Sequence, residues 1–253
     1  MQAVYKSDKG QIRETNEDSG GLFYNRGGQL LAVVADGMGG HQAGDVASQM
    51  ATEEMKSYWE EAEAFNDIRE LDVWLDTVIQ TMNDTLRDYA QQRQELAGMG
   101  TTLVAAAFVN QTVVVAHVGD SRLYHVTNET IEQKTYDHSF VNELVLQGQI
   151  TQEEAEYHPK KNILTRALGT SESIAVDVVD YEWHETGYVL LCTDGLTNKV
   201  SDRDLLDMLL KHDTIEQSVD ELLHEANERG GDDNITAIVV ELTPDEAGDP
   251  TWS

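Results

Sequence analysis

The chain has 253 residues, and its 17 Lys and Arg against 47 Asp and Glu leave a formal net charge of −30 at pH 7. That length suits one large domain, and a hydrophobic content of 40% supplies a core that an acidic disordered chain lacks. The charge disfavours a free-standing nucleic-acid binder, which neutralises phosphates with Lys and Arg, and an anionic membrane surface would repel it. It reads either as a solvated acidic surface or as a field that turns away wrong partners.

Met1–Ser7 lacks the basic-then-apolar layout of a signal peptide. No apolar run approaches the roughly 18 residues of a membrane span. The single cysteine, Cys192, can form neither an internal disulfide nor a zinc cluster, so no membrane insertion and a reducing, cytoplasmic setting are expected.

In chain order, Leu30–Ala35 is a fully apolar strand ending at the Asp36-Gly37 turn. Residues 43–64 carry Val46, Met50, Met55 and Trp59 near helical spacing. Leu71, Leu75, Val78, Met82, Leu86 and Tyr89 mark a second, long amphipathic helix. Consecutive strands follow at 101–109, 112–118, 121–126 and 130–134, and residues 137–170 are irregular and helical by turns. Tyr188–Cys192 is another buried strand, helices follow near 202–211 and 215–229, and Ile235–Leu242 is the last strand. Residues 243–253 read as an acidic C-terminal tail. Helices clustered between hairpin-linked strands favour antiparallel sheets covered by helices over a doubly wound parallel sheet.

The aspartates carry the chemistry. Asp36, Asp120 and Asp194 each end an apolar strand beside a glycine, and Asp233 lies in Gly230-Gly-Asp-Asp-Asn234 just before the last strand. Each alone reads as a turn residue; four together read as carboxylates converging on one point. Such groups repel unless a cation sits among them, and all-oxygen ligation selects Mg²⁺ or Mn²⁺ over zinc. Two such ions about 3.5–4 Å apart are a common device for attack of a bound water on phosphorus.

Competing motifs fail. The Gly39–Gly44 run is followed by Asp45 where a phosphate-binding loop needs Lys and Ser or Thr. Cys192 has Asn198 where a cysteine phosphatase needs Arg, so it reads as a core side chain.

Eight segments in order resemble the metal-dependent PP2C (PPM) family of protein Ser/Thr phosphatases, over residues 2–242. They are Arg13-Glu-Thr-Asn-Glu-Asp18, Val33–Ser48, Gly98–Thr102, His117–Tyr124, Asp137–Ser139, Thr165–Gly169, Leu190–Val200 and Gly230–Thr236. The chain is most similar to the short bacterial members, the PrpC/Stp type. The resemblance implies a four-layer α-β-β-α sandwich of two antiparallel β-sheets flanked by helices, an α+β fold with a metal centre at one end. It implies one phosphatase domain over residues 1–242 with a flap at about 137–170.

The resemblance also implies two or three Mn²⁺ or Mg²⁺ ions per chain and hydrolysis of phosphoserine and phosphothreonine on proteins by a metal-bridging water. Asp36 would bridge two ions; Asp194 and Asp233 would complete one shell, and the Gly37 carbonyl would serve the other. Asp18 would lie beside them as a water-mediated ligand, and Asp120 would join Asp194 on a weaker third ion. Arg13 would grip the substrate phosphate and Asn234 would orient Asp233. His41 is the candidate acid for the leaving oxygen, Met38 occupying the position where some members carry a histidine; the alternative is a loop histidine without that role. The basic island of His158, Lys160 and Lys161, with Arg166 beyond, is either plain surface or a docking lip for acidic phosphopeptides. The implied partners are phosphorylated proteins and a cognate membrane Ser/Thr kinase, with the phosphatase a monomer. A non-catalytic phosphoprotein-binding module on the same fold is the alternative, and would be expected to lack Asp36, Asp194 or Asp233. A metal-dependent phosphodiesterase acting on nucleic acid or nucleotides is disfavoured by the charge.

Overall fold

The computed structural model describes residues 1–39 and 43–243. Two antiparallel sheets lie face to face. One has the order β1 (Ala3–Asp8), β11 (Ile235–Leu242), β10 (Gly187–Cys192), β7 (Arg122–Val126), β8 (Ile131–Gln133). The other has the order β2 (Asp18–Tyr24), β3 (Leu30–Met38), β5 (Leu103–Val109), β6 (Thr112–Val118), β9 (Asp177–Glu182), with the two-residue β4 (Gly100–Thr101) beside β3. The helices α1 (Ala43–Glu61) and α2 (Ile68–Gln91) cover the second sheet, and α6 (Asp202–Lys211) and α7 (Ile215–Glu228) cover the first. The expected four layers are present.

Strand alternation assigns the core. Leu31, Val33 and Ala35 of β3 pack under α1 and α2 with Trp59, Leu75 and Met82. Leu30, Ala32 and Val34, one residue out of phase, face the other sheet with Phe108, Leu191 and Ile238. Both faces of β3, β5, β10 and β11 are therefore covered, which is why these strands read as unbroken apolar runs rather than as alternation. Cys192 is buried with Leu190 beneath α7, and burial pushes its thiol up to about 12. It is a core side chain.

The helix boundaries follow local chemistry. Ser201 and Thr214 cap α6 and α7 by accepting the Asp204 and Gln217 backbone N–H groups. The strand expected at 101–109 is divided: Thr102 leaves the ladder, and its hydroxyl accepts the Asp36 N–H at 2.9 Å. Three strands carried no clear signal in the sequence, β1, β2 and β9. All are sheet edges with largely half-exposed residues.

Residues 137–170 project beside one end of the sandwich and contain the short helices α3 (Phe140–Leu146) and α4 (Gln152–Glu156). Ser139 caps α3, and Thr151 with Glu154 forms a reciprocal cap on α4. Another short helix, α5 (Asp194–Thr197), follows β10 directly. The expected tail lies, from residue 244 onward, outside the described residues.

Candidate metal centre

The aspartates meet where strands from both sheets end. Asp18 opens β2 and pairs with Asp36 of β3 in the ladder register. Asp120 follows the Gly119 turn after β6, Asp194 begins α5 after β10, and Asp233 immediately precedes the Asn234 link into β11. The sandwich thus delivers side chains far apart in sequence to one end of the fold.

Their electrostatics record that convergence. Burial, then the charges of Asp194 and Asp233, raise the Asp18 carboxyl to about 7 against the hydrogen bonds from Thr236 and Thr193. Burial, with Asp194 and Asp137 nearby, raises Asp120 to about 8. Asp36 lies well above the usual carboxylate range because of burial and the charges of Asp18, Asp194, Asp120 and Asp233. Asp194 is raised by burial and by Asp233, while its contact with the Asp36 carboxyl opposes the shift.

The hydrogen bonds explain the placement. Thr193 Oγ1 donates to Asp18 Oδ2 at 2.8 Å, whereas Asp18 Oδ1 is buried without a hydrogen-bond partner. Asn198 Nδ2 donates to Asp194 Oδ2 at 2.9 Å, and the Asn234 N–H donates to Asp233 Oδ1 at 2.9 Å. The Asn234 side chain does something the sequence did not suggest. It accepts the Glu17 N–H at 2.7 Å and donates to the Lys9 and Thr15 carbonyls at 2.9 Å, fastening the segment that carries Arg13 to the site. Arg13 Nη2 donates to Asp233 Oδ2 at 2.8 Å, so the phosphate-gripping candidate and a metal-ligand candidate are paired. Gly37 lies where no side chain fits, since a Cβ there would stand 2.1 Å from the Gly44 carbonyl oxygen.

A divalent cation fits this donor set. The donors are hard oxygens, they are partly desolvated, and one is buried and unpaired; Arg13 and Arg122, the nearby cations, are already bonded to Asp233 and Asp137. A tighter group among the described residues is His117, His138 and Asp177, whose ligand-type atoms lie within 4.8 Å of one another. Among the described residues no three of the aspartates on the floor of the site gather within that distance, although Asp36 and Asp194 are in contact.

A cleft of about 720 Å³ opens from Asp120 and Asp194 and runs between the 137–170 segment and α6, lined by Arg122, Tyr157, Lys161 and Arg203 among others. Lys161 therefore lines the cleft that leads from the site. Lys160 Nζ instead lies 5.2 Å from the centre of the Phe140 ring, and His158 Nδ1 accepts the Lys160 N–H at 3.1 Å. Arg166 does not join this basic island. Its Nη1 donates to Asp177 Oδ1 at 2.8 Å, which ties it to the base of the segment. His41 lies outside the described residues.

A family model described as protein phosphatase 2C matches residues 11–239. The chain belongs to the protein phosphatase 2C family. It is 45% identical over 241 residues to the serine/threonine phosphatase stp of Listeria welshimeri, covering 95% of this chain and 96% of that one. It is 36% identical over 249 residues to the protein phosphatase PhpP of Streptococcus pneumoniae, covering 98% and 100%. The crystal structure of Stp1 from Staphylococcus aureus superposes with a TM-score of 0.92 at 45% identity, covering 96% of this chain and 95% of that one. Protein phosphatase 2C enzymes are metal-dependent hydrolases, in keeping with the oxygen donors gathered here. No helix among the described residues is long and apolar enough to cross a membrane.

Proposed function

We propose that this chain hydrolyses phosphoserine and phosphothreonine on proteins, with divalent cations held by Asp36, Asp194, Asp233 and the Gly37 carbonyl. Asp18 supports them through water, and Asp120 with Asp194 holds a further, weaker ion. The observation that carries this reading is the set of five aspartates, Asp18, Asp36, Asp120, Asp194 and Asp233, gathered at one end of the sandwich, where the guanidiniums of Arg13 and Arg122 are already bonded to Asp233 and Asp137. Two or three Mn²⁺ or Mg²⁺ ions, when bound, supply a water of lowered pKa and neutralise charge on the phosphoryl group.

The remaining work falls to the chain. Arg13 sits at the rim with its guanidinium half-exposed and one edge on Asp233, placed to turn its donors toward phosphate oxygens. Asn234 and Thr193 keep the Arg13 and Asp18 segments in register with the floor. His41 is the proposed donor of a proton to the departing Ser or Thr oxygen. The cleft beyond Asp120 receives the peptide around the phosphorylated residue, with Lys161 as its positive contact and Tyr157, 83% exposed, as an aromatic surface.

Residues 1–242 act as one phosphatase domain with a substrate flap at 137–170. The enzyme works in the cytoplasm as a monomer and reverses a membrane-anchored Ser/Thr kinase. Presence of all three of Asp36, Asp194 and Asp233 favours catalysis over a non-catalytic binding module. Assaying a phosphothreonine peptide against a bis-phosphate ester, with Mn²⁺ and with chelator, tests this. Metal-dependent hydrolysis of the peptide alone is expected; binding without turnover would support the module instead.

A further inference from the structure

His117, His138 and Asp177 form the tightest group of metal-type side chains described, yet their hydrogen bonds argue against a metal. A ligating histidine ordinarily donates its other ring N–H to a carbonyl or carboxylate. Here the Gly119 N–H donates to His138 Nδ1 at 3.0 Å, and the Tyr136 N–H donates to His117 Nε2 at 3.3 Å. Ligation through the remaining nitrogen would put a proton on the ring atom that faces a backbone N–H, leaving two donors opposed. The Gly119 bond sets the His138 tautomer: Nδ1 accepts, so Nε2 carries the proton and donates to Asp177 Oδ2 at 3.2 Å, and Arg166 Nη1, 3.2 Å from the same Nε2, directs its own hydrogen to Asp177 instead. Arg166 Nη1 holds the other Asp177 oxygen.

What this buried cluster grips is the residue before Asp120. The His138 side chain accepts the Gly119 N–H, and the His138 backbone N–H donates to the Gly119 carbonyl at 2.9 Å. Gly119 has φ of +105°, and a Cβ there would meet Thr102 Cβ at 2.6 Å, so the turn is one that glycine alone adopts without strain. On the far side of Asp120, Ser121 Oγ is hydrogen-bonded to Thr102 Oγ1 at 2.7 Å. Asp120 is thus held between two fixed neighbours. His138 is also the root of the flap: its carbonyl accepts the Thr165 N–H at 2.8 Å, joining the two legs of the segment, and Asp137 beside it takes Arg122 with two oxygens.

We propose that His138 is a positioning residue for Asp120, clamping the Gly119 turn and making the flap root and the Asp120 carboxylate one mechanical unit, with Asp177 and Arg166 fixing its ring. The inference rests on the reading of Asp120 as a ligand of a weaker metal. A flap that shifts on peptide binding would then be felt at Asp120 through one imidazole.

The test is a double-mutant cycle on full-length protein, read by calorimetric titration of the stripped enzyme with Mn²⁺ and by kcat and KM on a phosphopeptide. His138→Ala should weaken the Asp120-dependent Mn²⁺ site by about 10- to 100-fold, the usual effect of losing an outer-sphere partner, while tighter sites keep their affinity. His138→Asn, whose side-chain oxygen can still accept the Gly119 N–H, should recover much of the loss. Adding His138→Ala to Asp120→Ala should lower kcat no further. Independent, additive losses, or equal weakening of every Mn²⁺ site in both His138 variants, would overturn the proposal. If Asp120→Ala itself binds as many ions as the wild type, the assignment of Asp120 falls, and the role of His138 with it; if Asp120→Ala loses an ion and His138→Ala does not, the inference alone fails.

Discussion

Asp18 and Asp36 stand directly opposite each other in the β2–β3 ladder. Two carboxylates at a cross-strand pair repel and destabilise a sheet, and both have raised pKa values in the metal-free chain. A carboxyl whose folded pKa exceeds its unfolded value contributes stability at low pH that is lost as pH rises through the folded value. With Asp18 raised from 3.8 to about 7 and Asp120 from 3.8 to about 8, the loss runs from about pH 4 to about pH 7 for Asp18 and to about pH 8 for Asp120. In chelator, Asp18→Asn should therefore show a shallower fall in melting temperature over that window than the wild type. Saturating Mn²⁺ should flatten the wild-type curve. Identical wild-type and Asp18→Asn slopes would contradict the coupling.

Removing single charges from the floor should separate stability from activity. Asp36→Asn, Asp194→Asn and Asp233→Asn each remove a negative charge from a crowded set, so the metal-free proteins should melt no lower than the wild type. Turnover should fall by about 10³-fold or more, the several kcal/mol that a bound cation contributes. Far-UV dichroism, melting curves and phosphopeptide turnover check both halves.

Arg13→Ala should raise KM and lower kcat together, since it removes a forked phosphate contact. Its effect on stability should stay under about 1 kcal/mol, because the Arg13–Asp233 pair is half-exposed. Asn234→Ala should behave differently. It strips three hydrogen bonds from a buried side chain and should cost about 2–4 kcal/mol by denaturant unfolding, with lower activity as the Arg13 segment loosens.

Asp36, Asp120, Asp194 and Asp233 were legible in the sequence because each adjoins an apolar strand buried on both faces, whereas Asp18 and the four-layer plan came from the family resemblance. Unbroken apolar runs such as Leu30–Ala35, Leu103–Val109 and Ile235–Leu242 have no other common explanation. The edge strands β1, β2 and β9 were not legible, since one face or flank of each meets solvent and β2 begins Asp-Ser-Gly-Gly. Pairing across the site was equally hidden: nothing in local spacing shows that Asn234 reaches Lys9 and Thr15, or that Arg166 belongs to Asp177 rather than to the basic island. Asp137–Ser139 was visible as a motif, but its grip on Gly119 required the tertiary fold.

The flap lysines should differ from one another. Lys161 lines the cleft, whereas Lys160 lies against Phe140. Lys161→Glu should raise KM for a phosphoprotein more than Lys160→Glu does, with little change for a small aryl phosphate, and the difference should shrink with added salt. Matched KM changes on both substrates would place the damage in the metal site instead.

The most direct measurement is a Mn²⁺ titration of chelator-stripped protein, counting bound ions by calorimetry while following hydrolysis of a phosphothreonine peptide, in the wild type and in Asp36→Asn. The wild type should bind at least two ions per chain, with turnover rising as those sites fill, and Asp36→Asn should lose tight binding and turnover together. Hydrolysis by wild-type protein shown to be free of metal, or two tight ions and full turnover in Asp36→Asn, would contradict the account.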